Sequence, residues 1–506
     1  MDYHCNPVFI YKVVRLISLQ NLISLNRLSE QALYVQLSNG IVQLIKSGVL
    51  TSGMRLPSSR TLAVDFHVHR KTAIAAYDEL VSQGWVDILP SKGAFVSNEL
   101  PTVKTQGFDD KANGGVTEKS GFRFYKREFL HRYLPSVTSE FTLDEGIPDV
   151  RIAPVQELIR HYKRIVSRAY NAKYLSYGSV YGDELLRNTL AGYLKETRGM
   201  QVSPDQIIIT RGSQMGMYLA CKILFREGGL AVVGDTNYVA ATLTLQNAGA
   251  KLIYVPVDDK GIDTHKLEEV CKAKPIRAVY VTSHHHHPTT VTLSADRRIH
   301  LLQLAQQYGF AIIEDDYDYD FHYRNAPMLP LASADRSGNV LYIGAICKIV
   351  APAYRVGYLV GPKDFIEELG HVRRIIDRQG DTLLERSVAM MIEHGDYQRH
   401  SKKALKLYRE RRDHFCGLLK QELGEYLKFK EPEGGMAVWA KLRQGMNWSR
   451  VAELCKQRGL IIPNYENYNY RKTADNGLRL GFASINKEEQ KRVVGILKEA
   501  MDLVSE

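Results

Sequence analysis

No apolar run in this 506-residue chain approaches the length needed to span a bilayer, so a membrane-embedded protein is not expected. The six cysteines (Cys5, Cys221, Cys271, Cys347, Cys416, Cys455) are scattered without short paired spacing. That pattern argues against a disulfide framework and for a reducing compartment. The start, residues 1–27, is apolar and basic, but Lys12 and Arg15 interrupt any signal-peptide core. Internal repeats are absent. Together these absences point to the cytoplasm. What the chain does have is 44% apolar and 24% charged residues, the balance of a soluble globular protein. Its length asks for at least two domains. A formal net charge of +11 favours a polyanionic partner such as DNA, although many ordinary soluble proteins are equally basic.

Residues 28–98 read as one compact unit. Apolar residues recur at helical spacing from Leu33 to Ile45. Leu56-Pro57-Ser58-Ser59-Arg60 makes a turn whose serines can cap a short helix running to about Phe66. After a break at His67-Val68-His69, a third helix from Arg70 to about Gly84 carries Ala73, Ala76, Tyr77 and Leu80 on one face. Trp85–Leu89 and Gly93–Val96, joined by Pro90-Ser91-Lys92, predict a two-stranded wing. Helix, helix, turn, helix and wing is a DNA-reading order. The span resembles the winged helix of GntR-type bacterial regulators through Leu33-Tyr34-x-Gln36-Leu37, Leu56-Pro57-Ser58-Ser59-Arg60-x-Leu62-Ala63, Arg70-Lys71-Thr72 and Gly93-x-Phe95-Val96. The resemblance implies that Arg60, Arg70 and Thr72 contact double-stranded DNA, with Lys92 and Gly93 on the wing. His67 and His69 stand where that family usually has glycine and serine. Residues 99–140 lack apolar periodicity and read as a flexible linker.

From 141 to 506, apolar strands alternate with helical stretches. Residues 206–210, 230–233, 252–255, 278–281, 311–313 and 340–343 are the strand candidates. An α/β fold with a mostly parallel sheet covered on both faces follows, with a smaller α/β lobe over 363–506. Two strand ends carry chemistry. One closes on Glu314-Asp315-Asp316-Tyr317; the other runs into Lys348, seven residues before Arg355. An amine, a carboxylate and a guanidinium are what an aldehyde cofactor with a phosphate and a pyridine nitrogen requires.

This part resembles the type I aminotransferase fold. Its motifs are Gly178 and Gly182, Pro204-x-Gln206 through Thr210-x-Gly212-Ser213-Gln214, Tyr238, Asp315 with Tyr317, Lys348, Pro352-x-x-Arg355-x-Gly357 and Arg479. Joined to the amino-terminal unit, it resembles MocR-type regulators. The resemblance implies pyridoxal 5'-phosphate attached to Lys348, with Asp315 on the pyridine nitrogen and Tyr317 on the ring oxygen. Gly212, Ser213, Gln214 and Arg355 would hold the phosphate, and Tyr238 would stack on the ring. Tyr177 would reach across a homodimer, and Arg479 would hold a substrate carboxylate. Such regulators usually carry hydroxyl residues at positions 345 and 347, where this chain has Ala345 and Cys347. A lost hydroxyl-to-phosphate bond costs about 1.5–3 kcal/mol of cofactor affinity. Their usual Asp-Pro is here Ser179-Val180.

The run His284-His285-His286-His287 invites a metal reading, but neighbours in an extended segment alternate faces and no carboxylate or cysteine sits at ligand spacing. No metal is expected there, and the resemblance implies that the run lies on the loop beside the cofactor ring and lines the cofactor pocket. Three functions remain open. The expected one is a transcriptional regulator that senses an amine, an amino acid or the cofactor itself. A working aminotransferase with an accessory reader, and a degenerate domain without cofactor, are the others.

Overall fold

The computed structural model describes residues 19–100, 119–130, 140–324, 328–468 and 476–505. Most of the linker expected over 99–140 therefore lies outside the described residues, as do residues 1–18. The chain divides into two compact units, 1–125 and 126–506.

In the first unit, α1 (Leu33–Lys46), α2 (Ser59–Asp65) and α3 (Arg70–Ser82) pack around Leu37, Ile41, Leu62, Ala73, Ala76 and Leu80. Ser58 caps α2 by accepting from the Thr61 N–H at 3.1 Å. The buried Tyr77 hydroxyl donates to the Pro57 carbonyl at 2.6 Å and ties α3 to the turn before α2. Strands β1 (Val86–Leu89) and β2 (Gly93–Val96) pair antiparallel, Leu89 opposite Gly93, and form the wing. Upstream of residue 28, Leu19 and Ile23 are buried in the same core. Gly40 leaves room for Ile23; a Cβ there would sit 2.6 Å from its Cγ2.

The second unit is built on a seven-stranded sheet. In chain order its strands are β3 (Ile207–Thr210), β4 (Gly229–Gly234), β5 (Ala250–Val255), β6 (Ala278–Val281), β7 (Ala311–Asp316), β8 (Val340–Ala345) and β9 (Gly357–Val360). Their spatial order is β3-β9-β8-β7-β6-β4-β5. All run parallel except β9, which is antiparallel to both β8 and β3. β9 is a strand that the six apolar runs did not include.

The two-residue strand period sorts each run between two buried faces. Ile208, Ala231, Val233, Ile313, Ile343 and Leu359 face one apolar layer. Val232, Val279, Ile312 and Val340 face the other, under helices Thr264–Ala273 and Ala295–Tyr308. A smaller lobe follows, with antiparallel strands Leu427–Phe429, Ala437–Leu442 and Gly477–Gly481 under helices Trp448–Gln457 and Lys487–Ser505. Phe141–Thr142 returns to this lobe and pairs parallel with Leu460–Ile461. Among the described residues no helix is long and apolar enough to cross a membrane.

Candidate functional site

Parallel strands put their carboxyl ends at one edge of the sheet, where ligands of open α/β folds bind. A cavity of about 660 Å³ opens at that edge. Asp315, Tyr317, Lys348, Tyr238, Ser213 and His287 line it, and the loop 142–147 and residues 461–464 close its other side. The sheet brings together residues more than a hundred positions apart.

Asp315 is the penultimate residue of β7 and is almost completely buried. Its Oδ2 accepts from the Tyr280 hydroxyl at 2.9 Å, whereas its buried Oδ1 has no partner among the described residues. Burial pushes the carboxyl up to about 7, helped by Asp316 and Asp318 and opposed by the Tyr280 bond and Lys348. A buried carboxylate oxygen with no donor is costly, and a protonated ring nitrogen would satisfy it. The flanking carboxylates point to the other side of the strand. Glu314 accepts from Ser283 and from the Leu331 and Ala332 N–H groups, and so anchors helix Leu331–Ala334. Asp316 binds His284 at 3.1 Å and the Tyr342 hydroxyl at 2.8 Å. Of the carboxylate run, only Asp315 serves the cavity.

Lys348 follows β8 on the turn Ile346–Lys348. Its Nζ lies 3.4 Å from the Gly146 carbonyl and 5.9 Å from the centre of the Tyr317 ring. Burial lowers its ammonium from the ordinary value and Arg479 adds to this, against Cys347, Asp318 and Asp144. Lowering an ammonium favours the neutral amine, the form that attacks a carbonyl carbon. The Tyr317 hydroxyl donates to the His285 carbonyl at 3.2 Å, and Arg479 donates back to it at 3.3 Å.

Gly212 lies at φ +74°, a left-handed value that suits glycine, and starts helix Ser213–Leu224. The first N–H groups of this helix have no partner within it and form an anion seat. Arg355, itself at φ +51°, donates to the Arg211 carbonyl at 3.2 Å and packs over Gly212, where a Cβ would fall 2.6 Å from its Nη2. The Gln214 side chain is bonded to Thr244, so only its backbone faces the seat. Neither Ala345 nor the buried Cys347 carries a hydroxyl there. Tyr238 meets His287 edge-on at 4.8 Å in the cavity wall.

Of the residues expected at the site, Gly212, Gln214 and Arg355 flank the cavity at the seat without lining it, and Tyr177 and Arg479 do not line it either. Tyr177 is 76% exposed with the Arg378 guanidinium 4.1 Å over its ring. Arg479 is buried and bonded to the carbonyls of Glu145 at 2.7 Å and Pro288 at 3.0 Å, as well as to Tyr317. The histidine run corrects the sequence expectation in part. Only His287 lines the cavity, held neutral by burial and by Arg479. His284, His285 and His286 are spent on Asp316, Asp318 and the Thr236 carbonyl. Sequence reasoning missed Tyr280, Glu145 and Asn464, because only strand register and loop packing bring them to the site.

On the first unit, Arg60, Arg70, Lys92 and Gly93 are exposed and Thr72 is half-buried. His67 takes φ +49°, the left-handed value that the usual glycine would adopt freely. His69 caps α3 by accepting from the Lys71 N–H at 3.2 Å through Nδ1, in place of a serine hydroxyl. Arg55, not singled out from sequence, lies beside Gly93 at the wing.

Residues 140–497 match the aminotransferase class I and II family, and residues 33–96 match the bacterial regulatory proteins of the gntR family. The probable rhizopine catabolism regulatory protein MocR of Rhizobium meliloti is 26% identical over 94% of this chain and 95% of its own length. The pyridoxine biosynthesis transcriptional regulator PdxR of Corynebacterium glutamicum is 26% identical over 95% of this chain and 98% of its own. The Pyrococcus horikoshii kynurenine aminotransferase, solved with PMP, superposes with a TM-score of 0.69 at 27% identity, covering 75% of this chain and 97% of that one. Aminotransferases of this fold depend on pyridoxal phosphate, and the amine, the unpartnered carboxylate oxygen and the glycine-floored anion seat all fit that group. The chain belongs to the aminotransferase class I and II family and carries, ahead of that domain, a gntR-family DNA-reading domain, the organisation of MocR-type regulators.

Proposed function

We propose that this protein is a DNA-binding transcriptional regulator whose aminotransferase-like domain holds pyridoxal phosphate on Lys348 and answers to a small amine or amino acid. The unpartnered Oδ1 of Asp315, in one cavity with Lys348, carries the cofactor half of this reading. The cofactor supplies an electrophilic carbon for an amine. Asp315 holds the ring nitrogen protonated, braced by Tyr280. Ser213, the Gly212–Gln214 backbone and Arg355 neutralise the phosphate. Tyr317 would donate towards the ring oxygen by turning its hydroxyl from the His285 carbonyl, and His287 and Tyr238 would wall the ring. Arg479 meets an effector carboxylate by exchanging one of its backbone partners.

Domain bounds of 28–98 for the reader, 99–140 for the linker and 141–506 for the aminotransferase-like part, with 363–506 as its smaller lobe, suit this reading. So does a homodimer in the cytoplasm, in which the exposed Tyr177 reaches the partner's phosphate seat and two readers cover two half-sites. Regulation requires the effector to favour one arrangement of reader and cofactor domain over another.

The test joins two measurements on the purified protein with added pyridoxal phosphate. A visible band absent in Lys348→Ala, shifting with one amine of a panel, should accompany saturable, salt-sensitive binding to the DNA upstream of its own gene. A colourless protein, or binding indifferent to DNA sequence, defeats the proposal. Sustained exchange between an amino donor and a keto acid would favour the working aminotransferase, which the set Lys348, Asp315, Tyr317 and Arg479 supports.

A further inference from the structure

Away from the cavity, helices Thr264–Ala273 and Ala295–Tyr308 cover one face of the sheet, and each leads into a strand of the site: β6 with Tyr280 and β7 with Asp315. His265 and Glu268 are three residues apart and share a face of the first helix. His300 on the second helix faces them. One ligand atom from each of the three lies within 4.8 Å of the others. The His265 and His300 ring centres are 5.0 Å apart.

We propose that His265, Glu268 and His300 form a binding site for a divalent transition metal of the zinc class. Two imidazoles and one carboxylate, with a fourth position open to water, is a zinc ligand set. The spacing is specific. Ligands on a tetrahedral zinc with bonds of about 2.0–2.1 Å stand about 3.3–3.4 Å from one another. His300 Nε2 and Glu268 Oε2 are already 3.4 Å apart. His265 is exposed, so a turn of its ring about its own side-chain bonds would be needed to close the remaining gap, and solvent leaves room for it.

The outer contacts fit as well. The other ring nitrogen of His300, Nδ1, lies 3.0 Å from the Thr264 hydroxyl, an outer bond of the kind that orients a metal-bound imidazole. Lys272 takes the second oxygen of Glu268 at 2.6 Å and leaves Oε2 for the metal. That ammonium also opposes a cation, so the metal and Lys272 compete for Glu268. An occupied site would clamp the two helices that lead into Tyr280 and Asp315.

The experiment is equilibrium dialysis of the untagged full-length protein, loaded with pyridoxal phosphate, against zinc chloride at neutral pH, with thermal unfolding recorded in parallel. The expected result is one zinc per chain and a raised unfolding temperature. Glu268→Gln and His300→Ala should each weaken binding by at least about tenfold, the scale of losses from zinc sites. Lys272→Ala should tighten it, because a competitor is removed. Glu268→Gln replaces a half-exposed group with its isostere and so keeps the fold testable. Zinc retained undiminished in Glu268→Gln, tightening absent in Lys272→Ala, or no zinc above background in the parent would each overturn the site.

Discussion

Substitution of Gly357 by alanine tests the floor of the phosphate seat by geometry alone. Gly357 begins β9, and its backbone angles are open to any residue, so no left-handed strain enters. An added Cβ would stand 2.7 Å from the Gly212 carbonyl carbon, 2.9 Å from its Cα and 2.9 Å from the Ser213 nitrogen. These are backbone atoms, and no rotamer relieves them. Ordinary carbon contacts lie at about 3.5–4.0 Å, so the turn before Ser213–Leu224 must move by about 1 Å. Overpacking of this kind costs about 1–3 kcal/mol of stability. The same displacement takes the helix amides out of line with the phosphate. Each charge-assisted hydrogen bond lost weakens the cofactor by about 1.5–3 kcal/mol, roughly ten- to a hundredfold in Kd. Urea unfolding and absorbance titration with pyridoxal phosphate measure the two losses. Gly192→Ala is the control, since nothing lies within 4 Å of its added Cβ; mid-helix, it should stabilise by about 0.5–1 kcal/mol. Gly357→Ala with parent stability and an unchanged Kd would refute the reasoning.

Two further outcomes follow from the charges. Asp315 is pushed up to about 7 from an ordinary 3.8, so between these values the native state holds a proton that the unfolded chain has released. Its contribution to stability therefore falls as pH rises through that window. In the cofactor-free protein, Asp315→Asn should gain about 2–3 kcal/mol on the parent between pH 5 and 8 by urea unfolding. Added pyridoxal phosphate should erase the gain, and a difference independent of pH would contradict the assignment. On the reader, Lys92→Ala should lower the slope of log K against log salt by about 0.9 on every DNA tested. Arg70→Ala should instead cost about 1–3 kcal/mol on the preferred sequence and relax specificity. Identical behaviour of both variants on all sequences would remove the base-reading role of Arg70.

The winged helix was legible because its signals are local. Helical spacing from Leu33 to Ile45, the Ser58 cap and the Leu89–Gly93 turn each depend on neighbours in the chain. The apolar runs of the large sheet were legible for the same reason. β9 was not: Gly357-Tyr358-Leu359-Val360 is a short run directly after a motif, and its antiparallel insertion between β3 and β8 is settled by packing on both faces.

Residue type and order alone determined that an amine, a carboxylate and a guanidinium follow strand ends. Tertiary structure decided which of them meet. Parallel register places Tyr280 against Asp315 and turns Glu314 and Asp316 away. It spends three of the four clustered histidines on carboxylates and carbonyls, and pairs His265 and Glu268 with His300 from another helix. A local pattern sets which way each side chain points from its own strand or helix. What it points at depends on contacts between distant segments, which burial and register select only when the chain is folded.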